Sequence, residues 1–263
     1  MDLGISKKVA LVSAASKGLG KAIALELSKE GAFIGICART EDLLIKTKEE
    51  IERETGNKVF AMKADITIYD DIKKFVNALR AEFGPIDILV TNAGGPPAGE
   101  FFDFEDKDWE AAFNLNLMSV IRLIREVVPD MKEKKWGRII NMSSISVKQP
   151  IANLILSNVI RAGVIGLTKS LSNDLAKYNI LVNSVAPGYI MTERVKNLVE
   201  ANAKKNGITQ EEVISQLTAN ISLGRVGAPP EIGAVVAFLA SERANYITGQ
   251  TILVDGGMFK GLM

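Results

Sequence analysis

The hydrophobic positions of this chain form short apolar runs that alternate with longer stretches in which apolar residues recur every three or four positions. The apolar runs predict seven strands, at residues 9–13, 33–38, 59–63, 86–91, 138–143, 181–186 and 251–254. The periodic stretches predict helices at residues 18–29, 41–55, 69–83, 107–131, 154–177 and 230–240. Strands that are apolar throughout are typical of a sheet buried on both faces. The pattern therefore predicts an α/β fold, a doubly wound seven-stranded parallel sheet in a single domain of residues 1–263.

One segment interrupts this alternation. Residues 192–223 are charged, have a helical pattern, and lie between a predicted strand and the next predicted helix. Thr209 and Glu212 have the spacing of a capping box, which predicts that a helix begins there, after the turn at Asn206 and Gly207. We expect this segment to form a small helical lid over a substrate site.

Composition narrows the classes of function. The 32 Lys and Arg residues balance 31 Asp and Glu residues, so net charge favours neither nucleic acid nor an anionic membrane as a partner. The absence of histidine removes the commonest metal ligand and general base, so we expect no metal site and no Ser-His-Asp hydrolase. The lone Cys37 lies in an apolar run, where an inert buried thiol is expected. The sequence contains neither a signal segment nor a long apolar span, which predicts a cytoplasmic protein.

The segment that follows the first predicted strand has the features of a phosphate-binding turn. It reads Ser13-Ala14-Ala15-Ser16-Lys17-Gly18-Leu19-Gly20 and opens a predicted helix, whose N-terminal amides attract anions. Glycine at positions 18 and 20 permits close approach of the backbone to a pyrophosphate and of the helix to the sheet. The alternative is a tight strand-to-helix turn without a ligand, because a glycine-rich turn alone is a weak signal.

Further motifs extend along the whole chain. They are, in order, Asp65-Ile66, Thr91-Asn92-Ala93-Gly94, Leu115-Asn116-Leu117, Ile140-Asn141-Met142-Ser143-Ser144, Pro187-Gly188-Tyr189-Ile190-Met191-Thr192, Ile247-Thr248-Gly249-Gln250 and Val254-Asp255-Gly256-Gly257. Together with the glycine-rich turn they resemble the short-chain dehydrogenase/reductase family, and 3-oxoacyl-[acyl-carrier-protein] reductases most of all. The resemblance implies a Rossmann fold and an oxidoreductase that transfers hydride between a nicotinamide and a carbonyl or alcohol substrate.

The resemblance assigns cofactor contacts to several of these motifs. The implied cofactor-binding residues are Ser13, Ser16, Lys17, Gly18, Leu19, Gly20, Asp65, Ile66, Asn92, Ala93, Gly94, Pro187, Gly188, Ile190 and Thr192. A carboxylate just after the second strand would favour NAD, but this chain has Arg39 there. Arg39 and Lys17 can both form charge-assisted hydrogen bonds with a 2′-phosphate, which predicts NADP(H), with NAD as the alternative. The alternative for Arg39 is a solvated basic side chain at a strand end.

The catalytic positions depart from the family pattern. The resemblance places the family's serine at Ser144 and its asparagine at Asn116, whereas the positions of its tyrosine and lysine are occupied by Ser157 and Arg161. A serine hydroxyl is shorter and much less acidic than a tyrosine hydroxyl, whose pKa is about 10. Arginine keeps the positive charge but cannot release a proton. We therefore expect the family's standard carbonyl reduction to be slow or absent.

Other features near these positions change the expected site. Lys148 and Tyr189 are candidate substitutes for the missing acid, by their place in the chain. Ala14 stands where the family's turn has a glycine, and it restricts the backbone there. The run Gly94-Gly95-Pro96-Pro97 is stiffer than the family usually shows, so it reshapes the expected entrance for a substrate.

Two functions stay open. The first is an atypical NAD(P)(H)-dependent oxidoreductase that acts on a small carbonyl or alcohol with Ser144 and a proton source other than tyrosine. The second is a catalytically impaired nucleotide-binding regulator or scaffold. In the family, the helix predicted at 154–177 pairs with its copy, and Ala162, Gly163 and Gly166 lie on it, which predicts a homotetramer or homodimer. These small residues are equally compatible with close approach of the helix to its own sheet.

Overall fold

A single parallel sheet forms the centre of the computed structural model, which describes residues 2–262. Its seven strands lie in the order β3-β2-β1-β4-β5-β6-β7, with every neighbouring pair parallel. The strands are β1 (Val9–Val12), β2 (Phe33–Ala38), β3 (Val59–Lys63), β4 (Ile88–Thr91), β5 (Gly137–Met142), β6 (Ile180–Pro187) and β7 (Thr251–Val254). The predicted fold class, a doubly wound seven-stranded α/β sheet, is confirmed.

Helices cover both faces of this sheet. They are α1 (Gly18–Lys29), α2 (Glu41–Thr55), α3 (Tyr69–Phe83), α4 (Asp106–Phe113), α5 (Ser119–Lys134), α6 (Ile155–Leu175), α7 (Glu193–Asn206), α8 (Gln210–Thr218) and α9 (Pro229–Ala240). The apolar faces of α1, α2 and α9 pack with Ala10 and Val12 of β1, whereas those of α3, α5 and α6 pack with Val9 and Leu11. Adjacent side chains of β1 point into the two cores on opposite faces of the sheet. Every residue of the strand is therefore buried, and the whole strand must be apolar.

The predicted helix at 107–131 is wrong in one respect. It is divided into α4 and α5 by a wider π-helical turn at Asn114–Met118. The turn escaped prediction because apolar residues that face the cores, such as Ala112 and Val120, continue on both sides of it. Single π-helical turns inside helices are frequent at functional sites, and this one contains Asn116.

The segment predicted as a lid forms a pair of helices with its own small core. Val199 and Ala203 of α7 pack with Val213 of α8. The predicted capping box is confirmed, because Thr209 Oγ1 accepts a hydrogen bond from the Glu212 amide at 3.1 Å and Glu212 Oε2 accepts one from the Thr209 amide at 2.8 Å. The pair follows the carboxyl end of β6, which places it beside the crevice described below.

The strand order reverses at β1, with β2 and β3 on one side and β4 to β7 on the other. In such sheets a ligand crevice forms at the carboxyl ends of the strands, at the point of reversal. The loops after β1, β4, β5 and β6 carry Ser13, Asn92, Ser144 and Gly188 respectively, so the fold brings the sequence motifs to this edge.

Two further expectations concern the rest of the molecule. Cys37 is buried in β2, and burial raises the pKa of its thiol to about 12, so the thiol is inert as predicted. Among residues 2–262, every helix is too short or too polar to span a membrane.

Candidate active site

The turn between β1 and α1 forms an anion-binding cradle. No side chain caps the start of α1 and no acidic residue lies in its first turn, so its first amides have no side-chain partner. Gly18 has a left-handed φ of 60°. A Cβ atom at Gly20 would lie 2.6 Å from the carbonyl oxygen of Ala14 and 2.8 Å from Asn92 Nδ2, so only glycine fits there. Free amides at a helix N-terminus fit a pyrophosphate.

The wall of this cradle is held by hydrogen bonds between two predicted cofactor-binding residues. Ser13 Oγ donates to the carbonyl oxygen of Asn92 at 2.7 Å and accepts from its amide at 2.8 Å. Asn92 Nδ2 in turn donates to the carbonyl oxygens of Ser13 at 3.3 Å and Ala14 at 3.1 Å. These bonds occupy the Ser13 hydroxyl and the Asn92 side-chain nitrogen, so the two side chains hold the turns after β1 and β4 together. We therefore assign Ser13 and Asn92 a supporting role in the crevice.

Ala14 adopts a conformation that glycine would adopt more readily. Its φ is 48°, in the left-handed region, which costs an L-residue about 1–2 kcal/mol. Glycine loses about 0.5–1 kcal/mol more entropy on folding, so Ala14→Gly is expected to raise the free energy of unfolding by about 0.5–1 kcal/mol. Urea denaturation of both proteins measures this difference. A less stable variant would show that the Ala14 methyl group stabilises the turn by more than the strain it causes.

Two exposed cations lie at the β2 end of the crevice. Lys17 belongs to the cradle, and Arg39 follows the last residue of β2. Within residues 2–262, neither forms an ion pair within 4.0 Å. Thr47 of α2 donates to the carbonyl oxygen of Ser16 at 2.8 Å and so fixes α2 against the cradle. The arrangement leaves both cations available to a phosphate.

These two cations predict a cofactor preference. We expect NADPH to bind at least about tenfold more tightly than NADH, because one charge-assisted hydrogen bond to the 2′-phosphate contributes about 1.5–3 kcal/mol. Arg39→Asp is expected to reverse or flatten the preference. Fluorescence titration of both proteins with both cofactors measures it, with Arg125→Gln on the exposed surface of α5 as the control. Equal affinities in the unmodified protein would contradict the assignment of these cations.

The other predicted cofactor residues form the remaining walls. Asp65 Oδ1 accepts hydrogen bonds from the amide and hydroxyl of Thr67, at 2.9 and 2.8 Å, and Ile66 is buried. Leu19 is half-buried in α1, and Ala93 is half-buried after β4. These side chains shape the crevice, and none of them supplies a charge for the phosphates.

The loop after β6 folds toward the cradle. Pro187 ends β6, and the Gly188 amide donates to the carbonyl oxygen of Val254 at 3.0 Å. Ile190 is buried and pairs with Gly227. The Thr192 methyl lies 3.7 Å from where a Cβ of Gly18 would be, so this loop borders the cradle.

Hydrogen bonds link three serines beyond the end of β5. Ser144 Oγ accepts from the Ser146 amide at 3.2 Å, and Ser146 Oγ lies 3.3 Å from Ser157 Oγ. Ser146 and Ser157 are both buried, whereas Ser144 is partly exposed. Ser146 thus contacts Ser144 through its backbone amide and Ser157 through its hydroxyl. The only sequence signal for Ser146 is its place two residues after Ser144.

Arg161 lies one helical turn after Ser157 on α6. It is 8% exposed, and its Nη1 donates to the carbonyl oxygens of Met142 and Ser143, each at 3.2 Å. Its pKa is lowered to about 10, first by burial and then by the positive charge of Arg194. The guanidinium therefore stays charged at neutral pH, although no carboxylate within residues 2–262 pairs with it.

The fourth predicted catalytic residue, Asn116, supports the loop after β4. Its Nδ2 donates to the carbonyl oxygen of Gly94 at 2.8 Å, and its Oδ1 is buried without a partner among the described residues. Arg194 of α7 contacts the same loop, donating to the carbonyl oxygen of Pro96 at 3.4 Å. Arg194 carried no sequence signal, because it resembles any charged residue on an exposed helix. The loop thus lies between Asn116 and Arg194.

Comparisons with known proteins fit this architecture. A family model described as enoyl-(acyl carrier protein) reductase matches residues 13–259. A 3-oxoacyl-[acyl-carrier-protein] reductase from Staphylococcus epidermidis is 36% identical over 256 residues, which cover 96% of this chain and 99% of the relative. The chain belongs to the short-chain dehydrogenase/reductase family. The family resemblance and the Rossmann fold predicted from the motifs are thereby confirmed.

Other members of the short-chain dehydrogenase/reductase family are similarly close. An NADPH-dependent reductase from Bacillus subtilis is 34% identical over 259 residues, with 98% of this chain and 100% of the relative covered. The crystal structure of L-sorbose reductase from Gluconobacter frateurii, complexed with NADPH and L-sorbose, superposes with a TM-score of 0.96 at 34% identity and covers 100% of both chains. The comparison thus spans the whole chain, including α7 and α8.

Within this short-chain dehydrogenase/reductase fold, the two suggested substitute acids are not joined to the serine cluster. Lys148 is exposed, and Tyr189 is partly exposed on the loop after β6. Among the hydrogen bonds of residues 2–262, none links either of them to Ser144, Ser157 or Arg161.

Proposed function

We propose that the protein is an NADP(H)-dependent oxidoreductase that reduces the carbonyl group of a small molecule without a catalytic tyrosine. The observation that carries this proposal is the joint arrangement of the crevice. An uncapped helix start with two free cations lies at one end, and a serine cluster beside a buried guanidinium lies at the other. The NADPH bound to L-sorbose reductase, whose fold covers this whole chain, supports the choice of cofactor.

The chain's own residues fit the cofactor. The amides at the start of α1 would hold the pyrophosphate, and Lys17 and Arg39 would hold the 2′-phosphate. The loop with Ile190 and Thr192 borders the same cradle and would contact the bound phosphates. When bound, NADPH supplies the hydride. NAD(H) is the alternative cofactor, distinguished by the titration described above.

At the substrate end, each of the four candidate catalytic residues has a distinct role. Ser144 is the partly exposed member of the serine cluster, and its Oγ would hydrogen-bond the substrate oxygen. Arg161 would stabilise the negative charge that develops on that oxygen. Ser157 would hold the Ser146 hydroxyl, which lies 3.3 Å from its own, and Asn116 holds the loop after β4 in place.

The proton must come from a different source than in the family pattern. Ser157 and Arg161 stand where the resemblance expects tyrosine and lysine, and neither side chain releases a proton near neutral pH. We therefore assign proton delivery to water at the serine cluster. Loss of a positioned general acid lowers a rate by about 10²- to 10⁴-fold, so slow turnover is expected.

The same departures favour a second function, a nucleotide-binding regulator or scaffold without turnover. NADPH oxidation by the purified protein, followed at 340 nm over a panel of ketones, diketones, oxo acids and acyl thioesters, separates the two. Turnover of one class above the protein-free rate would support the reductase. Tight NADPH binding without turnover of any class would support the regulator or scaffold.

The predicted homodimer or homotetramer would form through the long helix α6. A Cβ at Gly163 would lie 2.8 Å from Leu117 Cδ2, so Gly163 serves packing within the chain. Gly166, in contrast, has nothing within 4 Å of such an atom, and Val159 on the same helix is 49% exposed. We expect light scattering at micromolar concentration to give the mass of an oligomer, and Gly166→Arg to give a folded monomer. A monomeric unmodified protein would contradict this assembly.

A further inference from the structure

An open groove lies at the edge of the sheet opposite the crevice. The amino ends of β1, β4 and β5, which are neighbours in the sheet, surround it, and its volume is about 580 Å³. β5 is six residues long, which at about 3.3 Å per residue separates the groove from the serine cluster by roughly 15–20 Å. The groove is therefore not part of the candidate active site. It is lined by Ser6, Lys7, Lys8, Asp87, Lys134, Lys135 and Trp136.

The carboxylate in this groove is already engaged. Asp87 is buried, its Oδ2 accepts a hydrogen bond from the Val9 amide at 2.9 Å, and its Oδ1 accepts one from Lys134 Nζ at 2.7 Å. Glu242, which contacts Trp136, accepts hydrogen bonds from Trp136 Nε1 at 2.7 Å and from Asn245 Nδ2 at 2.8 Å. Neither acid is left to neutralise the remaining lysines of the groove.

Lys7 and Lys135 are the free cations of the groove. Both are exposed, and within residues 2–262 neither forms an ion pair or lies over an aromatic ring. Lys7 lies in the turn before β1, and Lys135 lies between α5 and β5. The groove thus brings together two unpaired charges from segments that are far apart in the sequence.

The backbone at these two lysines has a conformation that glycine adopts more readily. The φ angle is 63° at Lys7 and 48° at Lys135, both in the left-handed region. Glycine is the usual residue at such positions, including the position after a helix that Lys135 occupies. Backbone preference therefore does not explain lysine at either place. Residues held in unfavourable backbone conformations cluster at sites that bind ligands, which is consistent with a binding role.

The side chains that line the groove favour a phosphate over other anions. Lysine ammonium groups are compact point charges that suit phosphate, whereas carboxylates match the planar fork of arginine, and none of the described arginines lines the groove. Ser6 is exposed there, and its hydroxyl can donate to a further phosphate oxygen.

Trp136 does not add a surface for stacking a nucleobase. It is 9% exposed, and two cations already lie over its ring, with Lys8 Nζ 3.9 Å and the Arg138 guanidinium carbon 4.3 Å from the ring centroid. Recognition in this groove therefore depends on charge, and not on an aromatic ring of the ligand.

We propose that this groove binds a small soluble ligand through a pyrophosphate or similar polyphosphate group, held by Lys7, Lys135 and Ser6. Several lysines without acidic partners match the multiple charges of such a group, and the volume lies within the range of about 300–1,000 Å³ that small-molecule sites have. The 32 basic and 31 acidic residues of the chain balance, which favours a soluble ligand over an anionic lipid surface. The site requires no turnover in the crevice, so it is independent of the proposed reductase function.

Isothermal titration calorimetry with inorganic pyrophosphate tests this site at physiological ionic strength. The protein is first saturated with NADPH, so that the cradle at α1 is occupied. We expect one pyrophosphate to bind per chain, and Lys7→Gln combined with Lys135→Gln to weaken binding by about tenfold or more, because both lysines form charge-assisted hydrogen bonds with it. Equal affinities in this variant and the unmodified protein, or no binding to either, would overturn the proposal.

A matched variant controls for net charge. Lys58 and Lys74 are exposed, form no ion pair within residues 2–262, and lie outside the groove. Lys58→Gln combined with Lys74→Gln removes the same charge and should change the affinity by less than about twofold, because salt screens distant charges. A loss as large as that of the groove variant would show that pyrophosphate responds only to net charge.

Hydrogen exchange measured by mass spectrometry locates the bound pyrophosphate without relying on NADPH. Slower exchange at residues 6–8 and 134–136 is expected. Protection confined to residues 13–20 would assign the pyrophosphate to the cradle and refute the groove site.

Two further probes test the chemical class of the ligand. Citrate binding as tightly as pyrophosphate would contradict a phosphate site. Cosedimentation with vesicles of phosphatidylcholine and phosphatidic acid should be absent. Vesicle binding that the Lys7→Gln and Lys135→Gln variant loses would assign the phosphate to a lipid surface and overturn the soluble ligand.

Discussion

Ser157→Tyr combined with Arg161→Lys is expected to raise NADPH-dependent reduction of neutral ketones by about 10²-fold or more. Ser144 and Ser157 are already joined through Ser146, and Asn116 already supports the loop after β4. What the cluster lacks is an acid at the substrate oxygen. A phenol at position 157 with an ammonium one turn later supplies it, because the cation lowers the pKa of the phenol from about 10 toward neutrality. Steady-state rates over a ketone panel measure the gain.

Each single variant serves as a control for this pair. Ser157→Tyr alone provides a phenol, but the guanidinium beside it cannot exchange protons. Arg161→Lys alone provides an ammonium group, but there is no phenol whose pKa it could lower. Both should gain less than the double variant. Fast turnover of neutral ketones by the unmodified protein would show that another group already donates the proton. A double variant that binds NADPH without any gain would show that more of the site differs than these two positions.

The fold could be predicted from the sequence because both signals that define it are local. Apolar runs such as Phe33–Ala38 mark strands buried on both faces, and Thr209 with Glu212 marks a helix start. The π-helical turn at Asn114–Met118 left no such signal. One extra residue in a turn rotates the following helix, but the side chains after it still meet a core, so the apolar pattern continues without a visible break.

The candidate site was only partly predictable, since its parts come from distant segments. Motif spacing indicated Ser144, Ser157 and Arg161, but the role of Ser146 depends on a contact between the loop after β5 and α6. The contact of Arg194 depends on how α7 lies against the loop after β4, which no spacing encodes. Ser146 and Arg194 belong to the site because of how distant segments pack together, and their residue types alone do not indicate it.

Ser144→Ala is expected to lower kcat by about 10²- to 10³-fold for the best substrate of the panel, which is the usual cost of removing one hydrogen-bond donor to a developing oxyanion. The dissociation constant for NADPH should not change, because Ser144 lies with the serine cluster and not with the cradle at α1. The variant also frees the Ser146 amide, which costs about 1 kcal/mol of stability. Kinetics, an NADPH titration and a thermal melt measure the three effects separately.

Ser143→Ala is the matched control for this loss. Its hydroxyl is one residue away, but it is buried and makes no hydrogen bond within the described residues, so a substrate cannot reach it. We expect that variant to keep kcat within about twofold, because removing an unpaired buried hydroxyl is nearly neutral. Equal losses of kcat in Ser144→Ala and Ser143→Ala would mean that both substitutions act only by disturbing the loop after β5. An unchanged rate in Ser144→Ala, with NADPH still bound, would instead remove Ser144 from the chemistry and place the reacting oxygen against Arg161 alone.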